Sequence, residues 1–188
     1  MKLTKGGFDI LRESLFKTGL SQAQVDALNF LVLKCEEAGM TYPETAYALA
    51  TTYHETGVIQ GGKMVRTMQP VKEFGSDAYL KGKKYYPYIG YGYVQLTWED
   101  NYTRIGKLIG VDLIEKPERA LEPEIASKIM TGGMLNGWFT GVGFRKKRPV
   151  SRYNKAQYIS ARAIINGKDK AELIADYAMT FEKALRSL

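Results

Sequence analysis

Apolar residues recur at spacings of three and four through most of the chain, a rhythm that predicts a succession of amphipathic helices. Phe8, Ile10, Leu11, Leu15 and Phe16 mark a short one after an extended or turn lead-in at Gly6-Gly7. Ser21 opens the next, running from Gln22 to about Ala38 with Val25, Leu28, Leu31, Val32 and Cys35 on one face and Gly39 as a left-handed stop. Thr41-Tyr42-Pro43-Glu44 starts a third, with Thr41 as N-cap, Pro43 in the first turn and Glu44 closing a capping box. Further helices are expected from Trp98 to Ile109, with Tyr102, Ile105, Leu108 and Ile109 inward and Gly110 as the stop, and from Glu124 to Asn136, where Gly132-Gly133 admits a close neighbour. Two more close the chain, Asn154 to Ile165, stopped at Gly167, and Asp169 to about Leu188. The last is capped by Asp169 with Glu172 three residues on and striped with Leu173, Ile174, Tyr177, Phe181 and Leu185.

The third helix departs from the pattern. From Thr45 to His54 it carries no charged residue. Ala46, Leu49, Ala50 and Tyr53 share one face, and Ala48, Thr51, Thr52 and Glu55 the opposite one, so neither face is solvated and the helix should be central. Its small Ala/Thr side would let a ligand approach Glu55, the candidate catalytic acid. The negative end of the helix dipole, just before Gly57, and partial burial both raise the pKa of that carboxyl. A general acid working near neutral pH requires such a shift.

Val58 to about Pro70 reads as loop, with Gly61-Gly62, Lys63, Arg66 and anchoring Met64, Met68 and Pro70. Val71-Lys72-Glu73-Phe74-Gly75 brings a second carboxylate. Tyr85 to Trp98 gathers five tyrosines and a tryptophan around Gly90 and Gly92, and predicts a small β-hairpin near residues 85–97. The expected fold class is therefore mainly α (α+β), with about seven to nine helices and one small β element in a single domain spanning 1–188. No internal repeat or low-complexity segment interrupts it.

Composition narrows the options. With 188 residues and 45% hydrophobic content the chain can bury one substantial core. No apolar run reaches the roughly 18 residues of a spanning helix, and Met1 to Gly7 lacks a signal-peptide core. Cys35, the only cysteine, excludes an internal disulfide and falls on a buried helix face. A net charge of +7 and a pI near 9.3 favour anionic partners without choosing among them. The basic run Arg145-Lys146-Lys147-Arg148 lies in a loop between Gly143 and Pro149.

Several chemistries are excluded by residue type. His54-Glu55 is half of a zinc-protease signature, but the chain has one histidine, so no metal is expected. There is no Gly-x-Ser-x-Gly elbow and no phosphate-binding Gly-x-x-x-x-Gly-Lys-Ser/Thr. Two carboxylates beside an aromatic, amide-rich stretch remain, which is the inventory of glycoside hydrolysis. The plain alternatives are a helix-end Glu55 paired with Lys63 or Arg66, an exposed loop charge at Glu73, and Thr97 as a helix N-cap. Asn166 before Gly167 also suits an ordinary helix end, and Tyr102 a core position. Strand alternation would send about half of Tyr85, Tyr86, Tyr88 and Tyr93 away from any substrate.

His54-Glu55-Thr56-Gly57, Met68-Gln69-Pro70 with Glu73 and Gly75, Gly90-Tyr91-Gly92-Tyr93-Val94-Gln95-Leu96-Thr97-Trp98 with Asn101-Tyr102, and Ile164-Ile165-Asn166-Gly167 occur in that order. Together they resemble glycoside hydrolase family 19, more closely its phage endolysin branch of lysozyme-like muramidases. The resemblance runs from about residue 22 to the C-terminus and leaves the first twenty residues uncovered. It implies a two-lobed lysozyme-like fold without cofactor. It assigns Glu55 as general acid, Glu73 as the base activating water and Thr97 as an aid to positioning that water. His54, Tyr93, Gln95, Asn101, Tyr102 and Asn166 are the implied substrate-binding residues. The family commonly has Arg between the two glycines where this chain has Tyr91, and Arg66 or Lys63 could substitute as the cation near the carboxylates.

The implied activity is hydrolysis of β-1,4 bonds in bacterial peptidoglycan for host lysis. The enzyme would wait in the host cytoplasm until a holin opens the membrane, then act on the cell wall. Expected partners are glycan strands and, through the basic surface, the anionic envelope; a monomer without nucleic acid is expected. Chitin cleavage, lytic transglycosylation and a non-catalytic envelope-binding or nucleic-acid-binding module are the competing readings.

Overall fold

A computed structural model describes residues 1–146 and 150–188, Lys146 by its backbone alone. Lys147 and Arg148 of the basic run thus lie outside the described residues. Among those described there are eight α-helices and two small antiparallel sheets, a mainly α fold as the periodicity predicts. None of these helices is long and apolar enough to cross a membrane.

Three helices come first: α1 (Lys5–Ser14), α2 (Gln22–Glu37) and α3 (Tyr42–Glu55). Gly6 and Gly7 belong to α1 rather than to a turn before it. Thr4 accepts a hydrogen bond from Gly7 N, and a Cβ on Gly7 would lie 2.6 Å from Ala184 O, so glycine lets α1 lie against the last helix. Ser21 caps α2 in a capping box with Gln24, and Gly39 follows at φ +76°. Glu44 accepts from Thr41 N at 2.7 Å and so ties the start of α3. Every residue of α3 from Pro43 to Tyr53 is buried, and it packs against α2, α6 (Pro123–Asn136) and α8 (Ala171–Leu185). The uncharged helix is the centre of the molecule.

The β structure is not where the tyrosines suggest. β1 (Gly57–Gln60) and β2 (Lys63–Arg66) form a hairpin in the stretch expected to be loop, turning through Gly61 and Gly62 at φ +56° and +74°. Two successive positive φ angles match the twist of paired strands, and Gly-Gly supplies them without strain. Between Tyr85 and Trp98 regular strand is confined to β4 (Tyr91–Gly92), which pairs with β3 (Val71–Lys72), while Tyr91 and Leu96 bridge the ends of a tight loop. Its aromatic residues are spread through turns, so two-residue alternation does not govern which of them are buried.

α4 (Asp77–Lys81), capped by Ser76, was not signalled by the apolar pattern. α5 (Glu99–Ile109) ends at left-handed Gly110 as expected, but Leu108 is exposed rather than inward. Gly132 and Gly133 in α6 face the rings of Trp138 and Phe139, which a Cβ would meet at 2.2 and 2.1 Å; the close neighbour is the chain's own return. α7 (Lys155–Ala161) passes into a 3-10 turn at Arg162–Ile164 before α8. Lys170, at φ +55°, holds the N-cap position of α8 in place of Asp169, and Leu173 is exposed while Ile174, Phe181 and Leu185 are buried. Cys35 is fully buried, and burial pushes its thiol pKa up to about 12.

Candidate functional site

Each residue of His54-Glu55-Thr56-Gly57 has a separate physical task at the end of α3. Thr56 is fully buried: its hydroxyl donates to Thr52 O at 2.7 Å and accepts from Met68 N at 3.1 Å, and its carbonyl accepts from Thr67 N at 3.1 Å. The chain returning from the hairpin is thereby latched onto the helix end. Gly57 leaves room for Arg66, since a Cβ there would lie 2.5 Å from its Nη1. That Nη1 donates to His54 O at 2.7 Å, satisfying a carbonyl of the last turn, and the guanidinium covers the Tyr53 ring at 5.2 Å. Tyr53 is itself held by its hydroxyl bond to Leu15 O and by edge contacts with Phe16 and Tyr177.

Glu55 is left with its side chain 23% exposed. Burial raises its pKa above the ordinary carboxyl value, Asp169 adds to the rise, and Arg162 and Arg66 oppose it. The cation paired with it is Arg162, whose Nη2 stands 3.9 Å from Oε1, and not Arg66 or Lys63. Arg66 serves the helix end, and Lys63 is exposed beside the hairpin turn. Arg162 is 2% exposed and fixed by Nε donating to Asp169 O at 2.8 Å. Among the described residues its Nη1 is buried without a normal hydrogen bond, as are Tyr47 Oη and Thr51 Oγ1. These groups form a polar layer in the otherwise apolar surroundings of α3. His54 Nδ1 is likewise buried and unpartnered, and burial, Arg66 and Arg162 together lower the imidazole pKa.

Sequence reasoning overlooked Arg162. The signal was available, because Arg162 is the only charged residue between Lys155 and Lys168. A lone charge in an uncharged helical stretch also singles out Glu55.

Glu73 follows β3 and is half-buried. Its Oε1 accepts from the Tyr85 hydroxyl at 2.7 Å and its Oε2 from Gly90 N at 2.9 Å, while Glu73 N donates to Gly90 O. It is therefore oriented by three bonds and is no free loop charge. A Cβ on Gly90 would lie 2.6 Å from Gln95 Oε1 and 3.3 Å from the Glu73 Cβ, so glycine here lets the Gln95 amide pack closely beside Glu73. Gln95, at φ +57°, sends Nε2 to Val71 O at 2.9 Å and Gly92 O at 3.3 Å, bracing the β3–β4 pair that presents Glu73.

Thr97 donates to Gln95 O at 3.0 Å and does not cap α5, whose N-cap position belongs to Trp98. Asn101 donates to Thr97 O at 2.9 Å and accepts from Arg104. Gln95, Thr97 and Asn101 are partly exposed and linked in one chain of hydrogen bonds beside Glu73. Tyr102 and Tyr93 are different. Tyr102 is fully buried, its hydroxyl between Ile89 O at 2.7 Å and Leu96 O at 3.0 Å, and Tyr93 is 1% exposed. Their expected place in a sugar groove is corrected: both are core residues that support the loop from beneath. Asn166 is exposed, and its backbone N–H donates to Arg162 O, which attaches it to the residue facing Glu55.

The chain path relates the two carboxylates. Thr67 is bonded to Thr56, and the six residues from there to Glu73 span at most about 21 Å when fully extended. Among the described residues no three of His, Cys, Asp and Glu are grouped as a metal ion would need. Comparison with protein families, curated proteins and solved structures finds no match for this chain.

Proposed function

We propose that this chain is a glycoside hydrolase that cleaves β-1,4 bonds of bacterial cell-wall glycan, a muramidase of the endolysin type. The observation that carries the reading is the partly buried Glu55 carboxyl, with its raised pKa, at the end of a helix that is otherwise uncharged beyond Glu44. The rise favours the protonated form, and a protonated carboxyl there can donate to the leaving glycosidic oxygen. Arg162 faces it, suited to the carboxylate left once the proton has gone.

Glu73 is the water-activating base, held by Tyr85 and Gly90 N so that its lone pairs are directed. Thr97 and Asn101 belong to the same hydrogen-bonded loop and position water and sugar. Inverting hydrolysis requires the two carboxyl groups about 6.5–9.5 Å apart in the working state, with water between Glu73 and the sugar. The resemblance in sequence supplies the substrate, and the basic surface suits the anionic envelope.

Mass spectrometry of digested, purified sacculi tests the reading. Reducing sugar ends, one water added per cut, are the expected product. Ends carrying 1,6-anhydro sugars would make the protein a lytic transglycosylase, chitin oligomers cleaved while sacculi stay intact would make it a chitinase, and binding without cleavage would make it a non-catalytic module.

A further inference from the structure

We propose that the cavity walled by Tyr85, Tyr86, Tyr88 and Trp98 seats one pyranose ring of the glycan, with the Trp98 indole as its stacking face. The proposal rests on the glycan reading above and gives it a subsite. Trp98 is the unusual residue. It occupies the N-cap position of α5, where Ser, Thr, Asp or Asn would accept a bond from the helix N–H groups, and it makes no side-chain cap. Its φ is +78°, a region bulky L-residues rarely adopt. It is also 52% exposed.

Those three unfavourable features share one outcome, which is to deliver the indole to the mouth of the cavity. The backbone is fixed in that conformation: Trp98 N donates to Tyr88 O at 2.9 Å, and Trp98 O accepts from Asn101 N and Tyr102 N. An observed backbone outlier over-determined by its surroundings is a pointer to function.

The cavity, about 240 Å³, is rimmed by Lys84, Glu99 and Asp100. Pockets that enclose drug-sized ligands run from roughly 300 to 1,000 Å³, so this one suits a single ring. A pyranose offers C–H groups on its face and hydroxyls at its edge, matching an aromatic wall and a charged rim. Nucleobases stack on such walls too, but their phosphates would meet two carboxylates against one lysine. Tyr85 places the ring relative to the chemistry: it lies edge-on to Trp98 at 5.0 Å and its hydroxyl bonds to Glu73. A sugar in this cavity is therefore one side chain away from the proposed base.

The test uses the Glu55→Gln protein, in which turnover is suppressed, titrated with soluble N-acetylglucosamine oligomers. Tryptophan emission should change saturably, and Trp98→Ala should abolish that change and weaken binding about tenfold, as loss of a stacking contact would. Trp98→Gly, which also relieves the positive φ, should weaken binding equally with an unaltered circular dichroism spectrum, separating the indole's role from folding. Binding in both variants equal to that of the parent would overturn the subsite. Trp98-dependent binding by a protein whose wild-type form cuts no glycan would instead overturn the hydrolase reading and leave the subsite standing.

Discussion

Glu55 ends a helix buried along every residue from Pro43 to Tyr53, whereas Glu73 stands on irregular chain that Tyr85 and Gly90 hold in place. At the first site the environment dominates: burial raises the pKa of a carboxyl that, among the described residues, forms no close hydrogen bond. At the second, directed bonds orient a carboxylate without enclosing it. A general acid needs to keep its proton and a base needs exposed, aimed lone pairs, so the contrast suits the acid and base roles proposed for the two carboxyl groups.

The largest expected effect lies in that contrast. Glu55→Gln should lower wall-cleaving activity by about 10²–10⁴-fold, the usual contribution of a general acid. Because folding favours the neutral carboxyl, Glu55 contributes stability fully below its unfolded value of 4.5, and the contribution is lost as pH rises through the higher folded value. Glu55→Gln removes that loss, so thermal unfolding at pH 7 should show no destabilisation. Glu73→Gln should also reduce activity, and if it retains most of it another group orients the water and the two-carboxylate comparison breaks.

The same contrast explains what could be read in advance. The α3 environment was legible because burial follows a period: a run without charge from Thr45 to His54 has one structural meaning. The Tyr85–Trp98 segment was misread because its aromatics satisfy strand composition while single events shape it, such as the positive φ of Gln95 and Trp98 and the Tyr102 hydroxyl beneath. No period encodes these. The β1–β2 hairpin was legible but passed over, since Val-Ile-Gln, Gly-Gly and Lys-Met-Val supply the strand, turn and strand. Arg162 stands out in the sequence as a lone charge, but its pairing does not, since the carboxyl it faces lies over a hundred residues away along the chain.

Arg162→Met gives the next effect in size. It removes the bond to Asp169 O and the cation facing Glu55, and should cost about 2 kcal/mol in denaturant unfolding. The pair is 3.9 Å apart with Glu55 partly exposed, which keeps the loss below that of a tight buried ion pair. Since Arg162 opposes the raised pKa of Glu55, its removal should carry the alkaline limb of the activity profile to higher pH. A limb that moves down or stays would show that another group governs it.

Tyr102→Phe tests the support under the second site. It deletes a buried hydroxyl and leaves Ile89 O without that donor, a loss of about 1–2 kcal/mol. Activity should fall with the loop that carries Gln95 and Thr97, and added substrate should not restore it. An increase in KM alone, at unchanged stability, would return Tyr102 to the sugar groove.

The smallest effect is the most direct report on the end of α3. The chain has one histidine, so its imidazole titration can be followed without assignment by proton and nitrogen NMR. The midpoint should lie below the ordinary 6.5, because burial disfavours the cation and Arg66 and Arg162 repel it. His54 is then neutral at pH 7, and its contribution to stability is present above the ordinary value and lost as pH falls through the lowered one. Arg66→Gln should raise the midpoint by removing the second-largest cause, although it also frees His54 O and loosens the helix end. A wild-type midpoint at or above 6.5 would mean water reaches the imidazole freely. The same opening would expose the adjacent Glu55, and the burial that distinguishes it from Glu73 would be gone.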